Sequence, residues 1–324
     1  KLKEAIVSFE KALSLKHDYA EPSFNIGDAL NENGKLEEAV EAYIIALSIK
    51  PANVYLAQKL HAQAHMCDWL AMNEDLLSLK ALGIEGQAVS PFTVLSLEDV
   101  PERHRLRSEL YARENFLQKP LPSPGVPSKK PDKLRIGYFS TDYREHPVAY
   151  LIAKVLEQHN RNEFEVFGYS LHGNQQFEIR QRLINSFDRF LDVQKLSNKE
   201  AASKARQDGI DIAIDLNGYT QNARTKIFAY RAAPIQINYL GFPGTTGADF
   251  MDYIVADRHI IPPENQKYFN EKILYLPNTY MPTDNGRELS GRHMTRRNMG
   301  LPEDAFVFCC FNNNYKITSS EFDI

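Results

Sequence analysis

Cysteine is scarce in this chain, with three in 324 residues, and two of them, Cys309 and Cys310, are adjacent. Three thiols build no disulfide framework, and sequence neighbours bridge poorly, so a reducing compartment, the cytoplasm, is expected. Long hydrophobic runs are missing too. No stretch of about 18 apolar residues occurs, so no membrane-spanning helix is predicted. No secretory leader opens the chain. It begins on Lys1 inside a helical pattern and ends on Ile324 just past a strand-like run, so it reads as a piece of a longer protein. Charge of one sign is absent as well: the net charge is −4, which gives no case for nucleic acid or an anionic membrane surface as partner. The glycine-rich loop at 241–247 lacks the lysine of a Walker motif and the spacing of a dinucleotide fingerprint. What remains is an ordinary globular balance, 43% hydrophobic and 25% charged, over a length that predicts two or three domains.

The first 51 residues repeat with a period of 34: Leu2 matches Leu36, Glu4 matches Glu38, Ala5 matches Ala39, Phe9 matches Tyr43, Ala12 matches Ala46 and Leu13 matches Leu47. Ala39, Tyr43 and Ala46 share one helix face at spacings of four and three. Small residues there let two helices approach while the aromatic fills the groove between them. This period and this residue set resemble a tetratricopeptide repeat, whose stacks form a superhelix with a concave face for extended peptide. Residues 52–117 stay helical without the period, and Cys67-Asp68-Trp69 is expected in their core. Residues 118–132 hold five prolines in a polar run, an exposed linker and a domain boundary.

From Leu134 the pattern changes to strand, turn and helix. Apolar, β-branched and aromatic runs at 134–140, 164–171, 189–193, 210–216, 235–242 and 253–256 show little alternation, as strands buried on both faces do. A further strand is expected near 273–276. Helical stretches near 149–159, 175–187, 198–208 and 222–230 separate several of them. The expected fold is therefore a helical repeat solenoid followed by an α/β unit, with a parallel sheet and helices on both sides. Phe306–Phe311 is expected to be a buried strand opening a second such unit. The divisions are 1–51 repeats, 52–117 helical extension, 118–132 linker, 133–300 first α/β half and 301–324 the start of a second.

Such sheets bind ligands beyond the carboxyl ends of their strands. Four polar loops lie there: Ser140 to Pro147, Asn217 to Thr220, Gly241 to Gly247, and Asn312 to Lys316. They are expected to converge on one rim. His146 could donate to a sugar or phosphate oxygen, accept a proton from a hydroxyl, or simply cap the next helix. Asp142 and His146, four apart, could also form a metal pair, but no third ligand is evident. The glycines of 241–247 permit close backbone approach to a ligand, or else a tight turn. Lys316 is either a partner for a diphosphate or a solvated surface lysine.

These loops, in this order after tetratricopeptide repeats, resemble the protein O-GlcNAc transferase family in its bacterial-type form. The strongest segments are LRIGYFSTDYREHP, DIAIDLNGYTQNART, RAAPIQINYLGFPGTTGADFMDYIVAD and GLPEDAFVFCCFNNNYKI. The resemblance implies a GT-B architecture of two Rossmann-like halves, and an inverting, metal-independent transfer of GlcNAc from UDP-GlcNAc to Ser or Thr hydroxyls of proteins. It implies no cofactor and no metal. The partners it implies are the nucleotide-sugar and a protein or peptide docked along the repeats. By motif, His146 would contact the sugar and the acceptor region, Asp142 would be considered as proton acceptor, and Pro147 would line the acceptor side. Leu240 and Gly241 would approach the GlcNAc, and Tyr219 and Thr220 would line the peptide channel. Asn313 stands where the family often has glutamine near the nucleotide. Lys316 matches the lysine that holds the diphosphate, where a fixed cation is typically worth ~10²–10³ in rate.

Three departures from the family pattern stand out. Ser90-Pro91-Phe92-Thr93 replaces a histidine-rich segment, and Val148 replaces a hydroxyl residue. The uridine-binding motifs of the second half do not occur by Ile324, so residues 1–324 alone are expected to be inactive. The rival readings are a protein O-fucosyltransferase using GDP-fucose, which Asn312-Asn313 favours, and a peptide-binding scaffold with a degenerate catalytic unit.

Overall fold

The computed structural model describes residues 19–123, 131–173, 177–287 and 291–323, together with Glu4, Ser8, Phe9 and Lys11. Leu2, Ala5, Ala12 and Leu13 of the repeat, and residues 124–130 of the linker, lie outside the described residues. The repeat is therefore seen in its second copy. Helices α1 (Ala20–Glu32), α2 (Leu36–Ile49) and α3 (Asn53–Met66) pack side by side. Ala39 and Ala46 are buried on the α2 face that also buries Tyr43, as the small–aromatic–small spacing predicts. The Tyr43 ring lies over Gly27 of α1, and its hydroxyl donates to Asp28 Oδ1 at 2.8 Å. A Cβ on Gly27 would stand 2.4 Å from Tyr43 Cε1. Gly27→Ala is expected to cost about 1–3 kcal/mol by overpacking, read as a lower melting temperature of the repeat region.

Helices α4 (Trp69–Leu76), α5 (Pro91–Val94) and α6 (Pro101–Asn115) complete the helical part. Cys67 is not core: it caps α3 half-buried, in a left-handed conformation at φ 55°. The chain reverses there, and Asp68 caps α4 by accepting from the Ala71 N–H. Helix α6 is fixed to the α/β part. Arg105 donates to Lys267 C=O at 2.8 Å, and Asn270 Nδ2 donates to Glu109 Oε1 at 3.0 Å.

The strands are β1 (Leu134–Ser140), β2 (Phe164–Ser170), β3 (Arg189–Asp192), β4 (Ile212–Asp215), β5 (Ile235–Asn238), β6 (Tyr253–Ala256) and β7 (Lys272–Tyr275). All pair in parallel, in the order β3-β2-β1-β4-β5-β6-β7. Helices α7 (Pro147–Glu157) and α8 (Glu178–Ser186) bury their stripes against Ile136, Tyr138, Ile214 and Ile237 on one face. Helices α9 (Asn198–Gln207) and α10 (Lys226–Ala229) cover Phe139, Phe167, Tyr169 and Ala213 on the other. Strand order reverses between β1 and β4, which makes the carboxyl ends of those two strands the crevice of the sheet.

The expected strand at Phe306–Phe311 is not formed. The segment is irregular, with Phe306 81%, Phe308 88% and Phe311 98% exposed, and no ladder partner lies beside it among the described residues. An apolar run becomes a buried strand only when neighbours take its N–H and C=O groups. Beyond it, the short helix α11 (Ser319–Phe322) is capped by Thr318.

Candidate active site

Three of the four polar loops meet at the β1–β4 reversal. Asn217, buried just past β4, reaches across to the β1 loop. Its Oδ1 accepts from Thr141 N–H at 2.8 Å, while its Nδ2 donates to Thr141 Oγ1 at 2.9 Å and to Asp142 Oδ2 at 2.7 Å. The β5 loop joins from the other side. Tyr219 donates its hydroxyl to Thr246 C=O at 2.6 Å, and a Cβ on Gly241 would lie 2.0 Å from Leu216 O. Glu271 holds this loop from behind, accepting from the Thr245 and Thr246 hydroxyls and from Thr246 N–H.

His146 ends the β1 loop in extended backbone, and Pro147 opens α7. His146 Nδ1 accepts from Val148 N–H at 3.3 Å and lies 3.7 Å from Asp142 Oδ2. Burial holds the imidazole below its ordinary pKa; Asp142 opposes this and Arg144 adds to it. The ring is thus neutral near pH 7. With Nδ1 engaged as acceptor, the ring proton sits on Nε2, so this imidazole is set up as a hydrogen-bond donor. Asp142 is committed: Oδ2 accepts from Asn217, and Oδ1 accepts from Arg144 at 3.1 Å. Among the described residues no group of three His, Cys, Asp or Glu is placed to hold a metal ion.

Leu240 takes a positive φ of 72°, at the centre of a γ-turn closed by Gly241 N–H to Tyr239 C=O at 2.9 Å. Such a turn is strained for a side chain like leucine, by about 1–3 kcal/mol. Tyr219 is buried among Tyr111, Phe116 and Phe242. Tyr219 and Thr220 line a cleft of about 1260 Å³ between the helical part and the sheet. Asn31, Gln58, Asn115, Asn198, Gln221 and Asn222 also line it, and such carboxamides can pair with both N–H and C=O of a peptide backbone.

The fourth loop does not join the other three. Asn313 caps a turn at Asn314–Lys316, and both Asn313 and Lys316 are exposed. Since Phe306–Phe311 forms no strand, this turn is not carried to a sheet end. It docks on α3, where Tyr315 lies against His61 and His65, 5.2 and 4.6 Å between ring centroids. Trp69 Nε1 donates to Ile317 C=O at 3.2 Å. His61 and His65 also line the cleft, so the turn sits at its border. Sequence reasoning placed Asn217 in a polar loop at a strand end, but it overlooked Asp215 and Asn238 as site-building side chains. The available signal was a polar residue closing an otherwise apolar strand.

A doubly wound parallel sheet, with polar loops gathered at its strand-order reversal and a helical repeat beside it, defines an α/β unit joined to a helical-repeat scaffold. The model of glycosyl transferase family 41 matches residues 114–294, more than half of the chain, and a tetratricopeptide repeat model matches 20–53. The chain belongs to glycosyl transferase family 41. It is 43% identical over 201 residues to the probable UDP-N-acetylglucosamine--peptide N-acetylglucosaminyltransferase SEC of Arabidopsis thaliana, which covers 60% of this chain and 21% of that protein. It is 43% identical over 164 residues to the UDP-N-acetylglucosamine--peptide N-acetylglucosaminyltransferase of Caenorhabditis elegans, which covers 50% of this chain and 14% of that one. The match thus spans about a fifth or less of these relatives. A mutant O-GlcNAc transferase from Thermobaculum terrenum superposes with a TM-score of 0.72 at 25% identity, over 99% of this chain and 62% of that one.

Proposed function

We propose that the protein carrying this chain transfers GlcNAc from UDP-GlcNAc to Ser or Thr hydroxyls of proteins, with inversion and without a metal. Family membership supports the reaction class, and the two relatives are named for this donor and a peptide acceptor. The observation that carries the reading is the mouth built by Thr141, Asp142, His146 and Asn217 at the β1–β4 reversal. In this reading the His146 Nε2–H donates to an oxygen of the donor or the acceptor, and Asp142 and the α7 cap orient the ring. Leu240 and Gly241 face the sugar with backbone, and Pro147 borders the acceptor. The carboxamide-lined cleft, with Tyr219 and Thr220, receives an extended peptide from the repeats. Asn313 and Lys316 serve the diphosphate once the turn that carries them moves from the cleft border to the mouth. Three free thiols accord with a cytoplasmic setting, and among the described residues no helix is long and apolar enough to cross a membrane.

The whole protein, given UDP-GlcNAc, other UDP-sugars and GDP-fucose in parallel with a protein acceptor, is expected to use UDP-GlcNAc. His146→Ala is expected to lower kcat by about 10²–10³ while the melting temperature stays within a few degrees. Because burial holds the imidazole below its ordinary value, Nδ1 should keep accepting from Val148 N–H as pH falls through about 6.5, and kcat should decline only further down, where protonation of Nδ1 breaks the cap that orients the ring. Preference for GDP-fucose, or wild-type turnover in His146→Ala, would refute the proposal.

A further inference from the structure

At the reversal, two buried side-chain oxygens, on in-register residues of adjacent strands, each lack a hydrogen-bond donor. Asp215 closes β4 and Asn238 closes β5; the two are in register, hence on one face, and are 2% and 0% exposed. Asp215 Oδ1 accepts from Asn217 N–H at 2.9 Å, and the Gly218 N–H also favours the charged carboxyl, but Oδ2 has no hydrogen-bond partner. Asn238 Nδ2 donates to Phe242 C=O at 3.1 Å and to Gly244 C=O at 3.4 Å, but Oδ1 has no partner. The amide cannot flip, because both of its partners are carbonyls that require the NH₂ side. Two neighbouring buried acceptors without a donor are each costly, and one proton satisfies both.

We infer that Asp215 is a positioning residue held as the carboxylic acid, its Oδ2–H donating to Asn238 Oδ1, so that a single proton fastens the β4 loop to the β5 loop. The chain of contacts is then continuous. Asp142 and Thr141 bind Asn217, the Asn217 and Gly218 amides bind Asp215, and Asp215 binds Asn238, which holds the backbone at Phe242 and Gly244. Burial pushes the Asp215 carboxyl up to about 7, against the two amide hydrogen bonds that lower it. The titratable groups around it are Tyr219 on its own loop, which feels its charge, Asp142 across Asn217, and Glu271 behind the Thr245–Thr246 turn. No cation pairs with it among the described residues. Ionisation would therefore set an unpaired charge against the Asn238 carbonyl and loosen the two loops as pH rises through about 7.

The test compares wild type, Asp215→Asn and Asp215→Ala in the whole protein. Asparagine keeps an acceptor for the two amides and supplies an N–H to Asn238 Oδ1. Two readouts do not depend on sugar transfer, so failure here is separable from failure of the transferase reading. In the infrared, wild type below pH 7 should show the C=O stretch of a buried protonated carboxyl that both variants lack. In thermal melts, the unfolded carboxyl ionises near 3.9 and the folded one near 7. Wild type therefore loses stability across that window while Asp215→Asn does not, and the difference between them should grow from about pH 4 to about pH 7 and then level off. Asp215→Ala should melt lower than both or fail to fold. A pH-independent difference, absence of the infrared band, or Asp215→Asn melting as low as Asp215→Ala would overturn the inference.

Discussion

Asn217→Ala is expected to reduce sugar transfer by about 10²-fold or more and to lower stability by several kcal/mol. The side chain makes three hydrogen bonds to the β1 loop, all buried: from Thr141 N–H, to Thr141 Oγ1 and to Asp142 Oδ2. Truncation leaves the Thr141 amide and the Asp142 carboxylate oxygen without that partner. A buried unsatisfied group costs about 1–3 kcal/mol, more when charged. Asp142 and His146 are then no longer held at the mouth, and a displacement near 1 Å typically costs about 10² in rate. Asn217→Asp, which keeps shape but sets a second acceptor against Asp142, should be nearly as damaging. Kinetics and melts on purified whole protein check both. A variant that keeps wild-type kcat would show that the β1–β4 link does not position the chemistry.

Gly241→Ala is the second severe substitution. The added Cβ would meet Leu216 O at 2.0 Å, Leu216 C at 2.8 Å and Asn217 Cα at 3.1 Å, all backbone atoms. No side chain can swing aside, so the β5 loop must leave the β4 loop or the variant must fail to fold. Overpacking commonly costs about 1–3 kcal/mol, and a backbone-only clash belongs at or above the upper end. Gly286→Ala is the matched control. Its Cβ would meet only Asp284 Oδ1 at 3.4 Å and Lys154 Nζ at 4.0 Å, so melting temperature and transfer should stay near wild type. Equal behaviour of the two variants would remove the close β4–β5 approach from the explanation of the site.

Much of this architecture is written in local composition. Strands buried on both faces carry unbroken apolar runs, so β1, β2 and β6 are readable almost to the residue, and the 34-residue period marks the repeat that α1 and α2 form. Phe306–Phe311 shows the limit of that signal: the run looks like a strand, but ladder partners decide whether it becomes one. His146, Asp142 and Asn217 sit in loops whose polar content flags them, and the structure brings them together. Contact between Asn313 or Lys316 and that group is not written in any local pattern, and their turn rests on α3 instead. Register is equally invisible in a single sequence, so nothing in IDIAIDL or IQIN announces that Asp215 stands in register with Asn238. The same holds for Leu240, because a leucine at positive φ is imposed by the turn around it and not by its own preference.

The most direct measurement is mass analysis of a protein acceptor after incubation with the whole protein and UDP-GlcNAc, followed by β-elimination. The account expects one N-acetylhexosamine per modified site, lost on β-elimination from Ser or Thr, and strongly reduced when Asn217 is replaced by Ala. No transfer from UDP-GlcNAc where another sugar nucleotide is accepted, or a product that survives β-elimination, would contradict it.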